Sequence, residues 1–330
     1  MGETQLPPGV DWVRSLARTG DGTVIAGCED GAVRVWTVGK SRLRTLASGS
    51  NTVWSTQFAA SGCAAVVGDG AGGVDVIDTT TATVSRRLPA THGRVWSLAC
   101  GEEQVAAACG DGAVRVWSLR EAAWSLTLNQ DTPRTWAVAM ARSTPRVAAS
   151  TGYGHIRCWD LPTGTPLWSQ DVHAGRLRSL SFDGSGDLLA ACGGDGSVRV
   201  WHAPIGEFRS RFSSPRGWAR AVTMDGTGNR VAVGAGTGDI AVRHLGKDRF
   251  TSHLSGHTGR ILMLGFMTDE DRLVSAAADG TVHVWSLGEQ RQIAMARVDA
   301  SLHCAAFEPA TGEVLVGSAA GVVALGIMDT

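Results

Sequence analysis

The chain has 330 residues, 43% hydrophobic and 18% charged, with a formal net charge of -1 at pH 7. Near-neutral charge excludes a global pull toward nucleic acid or an anionic membrane, so any electrostatic recognition must be local. The apolar runs are strand-sized, far short of the roughly 20 residues that cross a bilayer, and the start MGETQLPPG has no hydrophobic signal core, which reads as a cytoplasmic chain.

Along the chain one short pattern recurs. DGAVRVW at residues 30–36 is followed by AGGVDVI at 71–77, DGAVRVW again at 111–117, YGHIRCW at 153–159 and DGSVRVW at 195–201. TGDIAVR at 237–243, DGTVHVW at 279–285 and AGVVALG at 320–326 complete the series. The first β-branched residues, Val33, Val74, Val114, Ile156, Val198, Ile240, Val282 and Val323, are 41, 40, 42, 42, 42, 42 and 41 residues apart. That spacing defines eight units, in which strong copies alternate with weak ones, as duplication of a two-unit piece would leave them. Within each unit, apolar runs of period two are punctuated by Gly, Asp and Asn, the pattern of short antiparallel strands joined by tight turns. In the third unit the strands a to d are expected at 95–100, 104–109, 113–119 and 124–128. No segment carries a sustained helical period.

Four strands about every 42 residues match a propeller blade. Gly256-His257 before a strand a, the Asp-Gly turns between b and c, and Trp36, Trp117, Trp159, Trp201 and Trp285 closing strand c give the sequence a resemblance to the WD-repeat β-propeller family along nearly its entire length. Only Trp159-Asp160 spells the dipeptide that names the family. The expected fold is all-β, a single propeller over residues 1–330 with eight four-stranded antiparallel blades; seven blades, the family's commonest number, is the alternative. Inner strands should start near Val13, Val53, Val95, Thr135, Leu177, Ala219, Ile261 and Leu302. The last unit ends before any strand d. Leu6 precedes Val13 by the seven residues that separate Leu46 from Val53 and Leu88 from Val95, so residues 4–6 are expected to pair with the strand c around 322–325 and close the ring.

In the family a histidine, a hydroxyl residue, the turn aspartate and the strand-c tryptophan form a structural relay within a blade. The resemblance implies such relays at His257, Asp279 and Trp285 and at His173, Asp195 and Trp201. The positions expected for the hydroxyl hold Ala277 and Gly193, so the relay is expected to be degraded.

Catalytic signatures are absent: no HExxH, P-loop lysine motif or GxSxG is present, and the nine histidines are scattered among units. The glycine-rich run 68–73 is read as a b-to-c turn, since no helix follows to hold a phosphate. The acids Glu102, Glu103, Asp269 and Asp271 lie in turns. Seven cysteines fall singly, with no close CxxC pair, as reduced core residues. No metal or cofactor is expected.

Aligning the strand-a starts brings out a candidate site. The residue before the first strand position reads Trp12, Thr52, Arg94, Arg134, Arg176, Trp218, Arg260 and Ser301, and the residue after it Arg14, Trp54, Trp96, Trp136, Arg178, Arg220, Leu262 and His303. In WD-repeat proteins these positions commonly contact partners on the top face. The resemblance therefore implies a ring of guanidinium and indole groups at the channel mouth, with Glu29, Gly110, Gly194 and Ala278 at the next contact position. Exposed Trp and Arg are residues of binding hot spots. The competing reading is that the indoles pack between blades while the arginines stack on them or pair with acids such as Asp11 and Asp131.

The leading expectation is a non-catalytic scaffold or sensor of bacterial type whose top face binds an acidic peptide or protein segment, or a small anionic ligand. The alternative is an enzyme with an anionic substrate in the channel mouth, clamped by Arg94, Arg134 and Arg176, with His303 the only ring-position histidine to serve as base. Nucleic acid is disfavoured, because no basic tail accompanies the arginines. A sensor domain of a larger signalling chain is a further reading.

Overall fold

The computed structural model describes residues 12–19, 21–37, 43–47, 51–59, 62, 64–89, 91–121, 125–129, 134–172, 175–246, 250–269, 271–309, 312–319 and 321–326. The Asp-Gly turns show how the repeat folds locally. Asp30, Asp111, Asp195 and Asp279 each accept a hydrogen bond from the backbone N–H two residues on, at 2.8, 3.1, 2.9 and 2.9 Å. The glycine between takes φ of 81, 93, 75 and 89°, a left-handed conformation that reverses the chain between strands b and c. Strand b that enters each turn is apolar and buried on both faces, as in Thr23–Cys28 and Gln104–Cys109. Strands buried on both faces read as continuous apolar runs.

Eight antiparallel sheets result, each meandering outward from an inner strand a, in seven of them to an outer strand d. The inner strands are Val13–Arg18, Val53–Phe58, Val95–Cys100, Thr135–Met140, Leu177–Phe182, Ala219–Met224, Ile261–Phe266 and Leu302–Glu308. Seven sheets have four strands, and the eighth has three described strands, ending at Gly321–Gly326. The proposed closing segment, residues 4–6, lies outside the described residues, as does Trp124, so the outer strand of blade 3 is Ser125–Asn129.

The core lies between blades, as eight apolar clusters that each join two consecutive blades. One of them closes the circle by packing Val13, Leu16 and Trp36 of blade 1 against Leu315, Val322 and Ala324 of blade 8. Cys304 also donates from Sγ to the Val13 carbonyl at 3.6 Å, and Arg18 pairs with Glu313 across the same seam. Eight blades, not seven, therefore form the ring. Burial pushes the thiols of Cys100, Cys158 and Cys192 up to about 12, so at neutral pH they behave as small apolar groups. Among the described residues no helix is long and apolar enough to cross a membrane.

Candidate functional site

In every blade the pairing of strand a with strand b slips by one residue directly after the first residue of strand a. The residue skipped is Arg14, Trp54, Trp96, Trp136, Arg178, Arg220, Leu262 or His303. A bulge leaves its extra residue out of the ladder and re-aims the side chain, and bulges concentrate at the rims of closed sheets and beside functional sites. The second ring position is thus a bulge repeated around the channel mouth. The residue before strand a supplies the other half of the ring.

These side chains stack on one another in a fixed order. Trp12, 46% exposed, lies flat on His303 with ring centroids 4.7 Å apart. The Arg14 guanidinium is 5.4 Å from both Trp12 and Trp54, and that of Arg94 is 4.1 Å from Trp54 and 4.5 Å from Trp96. Trp96 packs on Trp136 at 4.2 Å, and Arg176 covers the far side of Trp136 at 4.0 Å. A second, separate group has Arg178 at 4.9 Å and Arg220 at 6.0 Å from Trp218. Arg134 and Arg260 are exposed and cover no indole, and Arg134 takes the left-handed φ of 67° that Gly93, Gly175 and Gly217 take one residue earlier in their blades. The structure thus brings together ten of the twelve ring residues as an indole-rich arc from blade 8 to blade 5 and a guanidinium-rich arc over blades 5 and 6.

The seats of three indoles are cut by glycine. A Cβ on Gly152 would come within 2.6 Å of Trp136 Nε1, one on Gly70 within 3.3 Å of Trp54 Nε1, and one on Gly236 would overlap the Trp218 ring. These glycines occupy, in even blades, the position that Glu29, Gly110, Gly194 and Ala278 hold in odd ones. Their recurrence was visible in the repeat. Smallness at that position makes room for the neighbouring ring as well as for access.

Electrostatics divide the mouth further. Arg14 pairs with Glu29 at 2.9 Å. Among the described residues, Arg94, Arg134, Arg176, Arg178, Arg220 and Arg260 have no carboxylate partner. Stacking on indoles, expected under the competing reading, is therefore present, but pairing with acids is confined to Arg14; Asp11 and Asp131 lie outside the described residues. The buried Nε of Arg178 donates to no acceptor. Burial, followed by the charges of Arg260 and Arg178, pulls the Arg220 guanidinium down to about 10. Arg178 is lowered by burial and then by Arg176 and Arg260. His303 is lowered by burial and then by Arg14 and Arg260, which favours the neutral imidazole. The stacked contacts contribute about 0.5–1 kcal/mol each where exposed and hold the guanidiniums in place without neutralising them.

Away from the mouth, blade 7 carries a complete relay, contrary to the expectation of a degraded one. Trp285 donates from Nε1 to Ser275 Oγ at 2.8 Å, Ser275 Oγ bonds His257 Nε2 at 2.7 Å, and His257 Nδ1 faces Thr281 Oγ1 at 2.8 Å and Asp279 at 3.4 Å. The hydroxyl comes from Ser275 rather than position 277. In a strand, residues two apart share a face; Ser275 pairs with His283, while Leu273 lies opposite Trp285, so the Trp285 N–H reaches the Ser275 hydroxyl diagonally across the ladder. In blade 5 His173 lies outside the described residues; there Trp201 donates to Gln170 of blade 4 at 2.7 Å, and Arg199 bridges to Asp195 at 3.1 Å. Arg34 and Arg115 neutralise Asp30 and Asp111 in the same way. Blade 7 has His283 at the arginine's place, stacked on His257 at 3.9 Å. Among the described residues no group of three or more His, Cys, Asp or Glu is placed to hold a metal ion.

Three segments of the chain, residues 6–37, 164–202 and 248–286, match the family model described as WD domain, G-beta repeat. The chain is thus an eight-bladed β-propeller in which three segments match the WD-repeat family model. No curated protein matches it. Its fold is similar to that of the computationally designed Ika8 protein, at 23% identity and a TM-score of 0.85, with 98% of each chain covered. It is similar also to the Dos1 propeller, at 15% identity and 0.86, covering 99% of this chain and 94% of that one. A chain in the crystal structure of the mitotic checkpoint complex matches at 19% identity and 0.72, covering 86% and 90%. The family is consistent with a non-catalytic protein-binding scaffold.

Proposed function

We propose that this propeller is a non-catalytic binding scaffold whose channel mouth takes an acidic peptide or protein segment. The observation that carries the reading is the set of six mouth arginines without a carboxylate partner among the described residues, interleaved with half-exposed indoles. Like charges gathered at one rim repel until an anion arrives, and charge-assisted hydrogen bonds contribute about 1.5–3 kcal/mol each. The indoles offer rigid apolar area beside them. Such a site discriminates by charge and extended shape, and it needs no nucleophile or general base. The test is binding of a labelled glutamate-rich peptide, by fluorescence polarisation at low salt, to the wild type and to Arg178→Glu combined with Trp136→Ala. Loss of at least about 100-fold, by a variant that still unfolds in one cooperative transition above the assay temperature, is expected. Equal binding by the double variant would move the site elsewhere.

A further inference from the structure

The arginines over blades 5 to 7 are unlike Arg14, Arg34, Arg115 and Arg199. Arg34, Arg115 and Arg199 each sit on the turn aspartate of their own blade, and Arg14 sits on Glu29. Arg178 and Arg220 occupy the bulge positions of adjacent inner strands, Leu177–Phe182 and Ala219–Met224, and share the single indole of Trp218 as a platform. Arg260 stands at the head of the next inner strand, exposed, its carbonyl accepting from the Ala278 N–H at 3.0 Å. The inner strands of blades 5, 6 and 7 pack side by side in that order, so the three arginines stand in succession along one part of the mouth, and the charge of Arg260 acts on both of the others. The position that supplies Glu29 in blade 1 holds Gly194, Gly236 and Ala278 here, so that position brings no acid to these arginines. Leu262, at the bulge of blade 7, adds no opposing charge.

We infer that Arg178, Arg220 and Arg260 form a site for a doubly charged tetrahedral oxyanion of the phosphate class. The inference rests on reading the mouth as an anion-binding surface and specifies its ligand. A single carboxylate brings one negative charge to three positive ones. A phosphoryl group brings nearly two, with three acceptor oxygens that three donors from successive blades can reach from different sides. Arginine forks match that geometry, and Trp218 fixes two of them beforehand, so little side-chain entropy is lost on binding. On the blade 8 and blade 1 side of this group, by contrast, His303 favours the uncharged form and Arg14 is neutralised by Glu29.

The experiment is calorimetric titration at pH 7.5 and low salt with inorganic phosphate, with a phosphoserine peptide, and with the same peptide carrying glutamate instead. Wild type is compared with Arg178→Gln, Arg220→Gln and Arg260→Gln, and with Arg209→Gln on the outer strand Glu207–Ser213 as a charge-matched control. Saturable 1:1 phosphate binding, weakened about tenfold or more by each of the three mouth substitutions and unchanged by the control, is expected. A phosphoserine peptide held about tenfold tighter than phosphate assigns the dianion to a phosphorylated segment, and equal affinities assign it to free phosphate. Should Arg178→Gln or Arg220→Gln fail to fold, Arg260→Gln at the exposed rim carries the same comparison. Absence of saturable phosphate binding, or equal loss in the Arg209 control, overturns the inference. If the glutamate-rich peptide of the preceding test still binds in that case, the mouth remains an acidic-segment site and only the dianion assignment falls; if neither binds, both fall.

Discussion

The strand-c tryptophans and the mouth tryptophans are the same side chain put to opposite uses within one blade repeat. Trp159, Trp201 and Trp285 are at most 2% exposed, wedged against the preceding blade, and the N–H of Trp201 and of Trp285 has an acceptor. Trp54, Trp96, Trp136 and Trp218 are half-buried, with guanidiniums on their faces whose charges are not cancelled by any described carboxylate. What separates scaffold from site is therefore the state of the polar atoms around each indole, satisfied in one region and left open in the other. The most direct way to break that comparison is to truncate one indole from each region. Trp285→Ala should cost about 3–5 kcal/mol in chemical denaturation, by leaving a cavity and stripping Ser275 of its donor. Trp136→Ala should cost less than half as much. Comparable losses would mean that the mouth indoles are scaffold too.

Acid sharpens the comparison next, because the scaffold region holds the buried imidazole pair His257 and His283. Burial, then the neighbouring His283, lowers His257 to about 4, against the opposing pull of Asp279, and His283 is itself lowered by burial. With the folded value below the unfolded one near 6.5, the unfolded chain binds the extra proton first. The contribution is therefore fully present above about pH 6.5 and is lost as pH falls toward about 4, on the order of 3 kcal/mol for His257. Burial alone would raise Asp279, but hydrogen bonds from Thr281 and from the Thr258 backbone hold it down to about 2, so its own loss comes at lower pH. The stability gap between wild type and His257→Gln should shrink from pH 6.5 to pH 4. A constant gap would assign the acid response to other groups.

Ser275→Ala tests the centre of the relay and should cost about 1–3 kcal/mol, since it removes the common partner of Trp285 and His257 while both stay buried. Gln170→Leu is the matching change at Trp201 of blade 5, where the Trp201 N–H loses its acceptor and the Gly206 carbonyl a donor. A smaller loss there is expected, and equal losses would show that the imidazole adds nothing to blade 7.

The sequence disclosed the scaffold far better than the site, for physical reasons visible at particular residues. Asp-Gly turns are local: an aspartate that caps a backbone N–H and a glycine that takes positive φ work within four residues, and the β-branched residue just after the turn, kept in the weak copies that lack the aspartate, counts the blades. The start of each inner strand follows from the same period. Ser275 was missed because the relay hydroxyl sits mid-strand, opposite His283 and diagonal to Trp285, a register that the letters at 277 do not reveal. The bulge at the second ring position was hidden for the same reason, although it is what aims eight successive side chains. Composition around the mouth was legible, but the division into an indole arc and a guanidinium arc was not, since it depends on which neighbour each long side chain leans toward.

The smallest expected effect has the opposite sign. If the Trp218 group is a site rather than a support, removing one of its charges relieves repulsion that the folded ring must otherwise bear, and stability lost to function is recovered when function is removed. Arg220→Gln keeps the length of the side chain that lies along Trp218 while deleting the charge that burial, Arg260 and Arg178 all disfavour. Because the group is partly open to solvent, screening limits the gain to less than about 1 kcal/mol, seen as a slightly higher melting temperature. Repulsion between charges also weakens within a Debye length of about 10 Å at 0.1 M salt, so the gain should be greatest at low ionic strength and fade as salt rises. A lower melting temperature at every salt concentration would mean that the guanidinium is bound into the scaffold by its packing, as Arg199 is by Asp195, and that the mouth of blade 6 belongs to the same category as strand c.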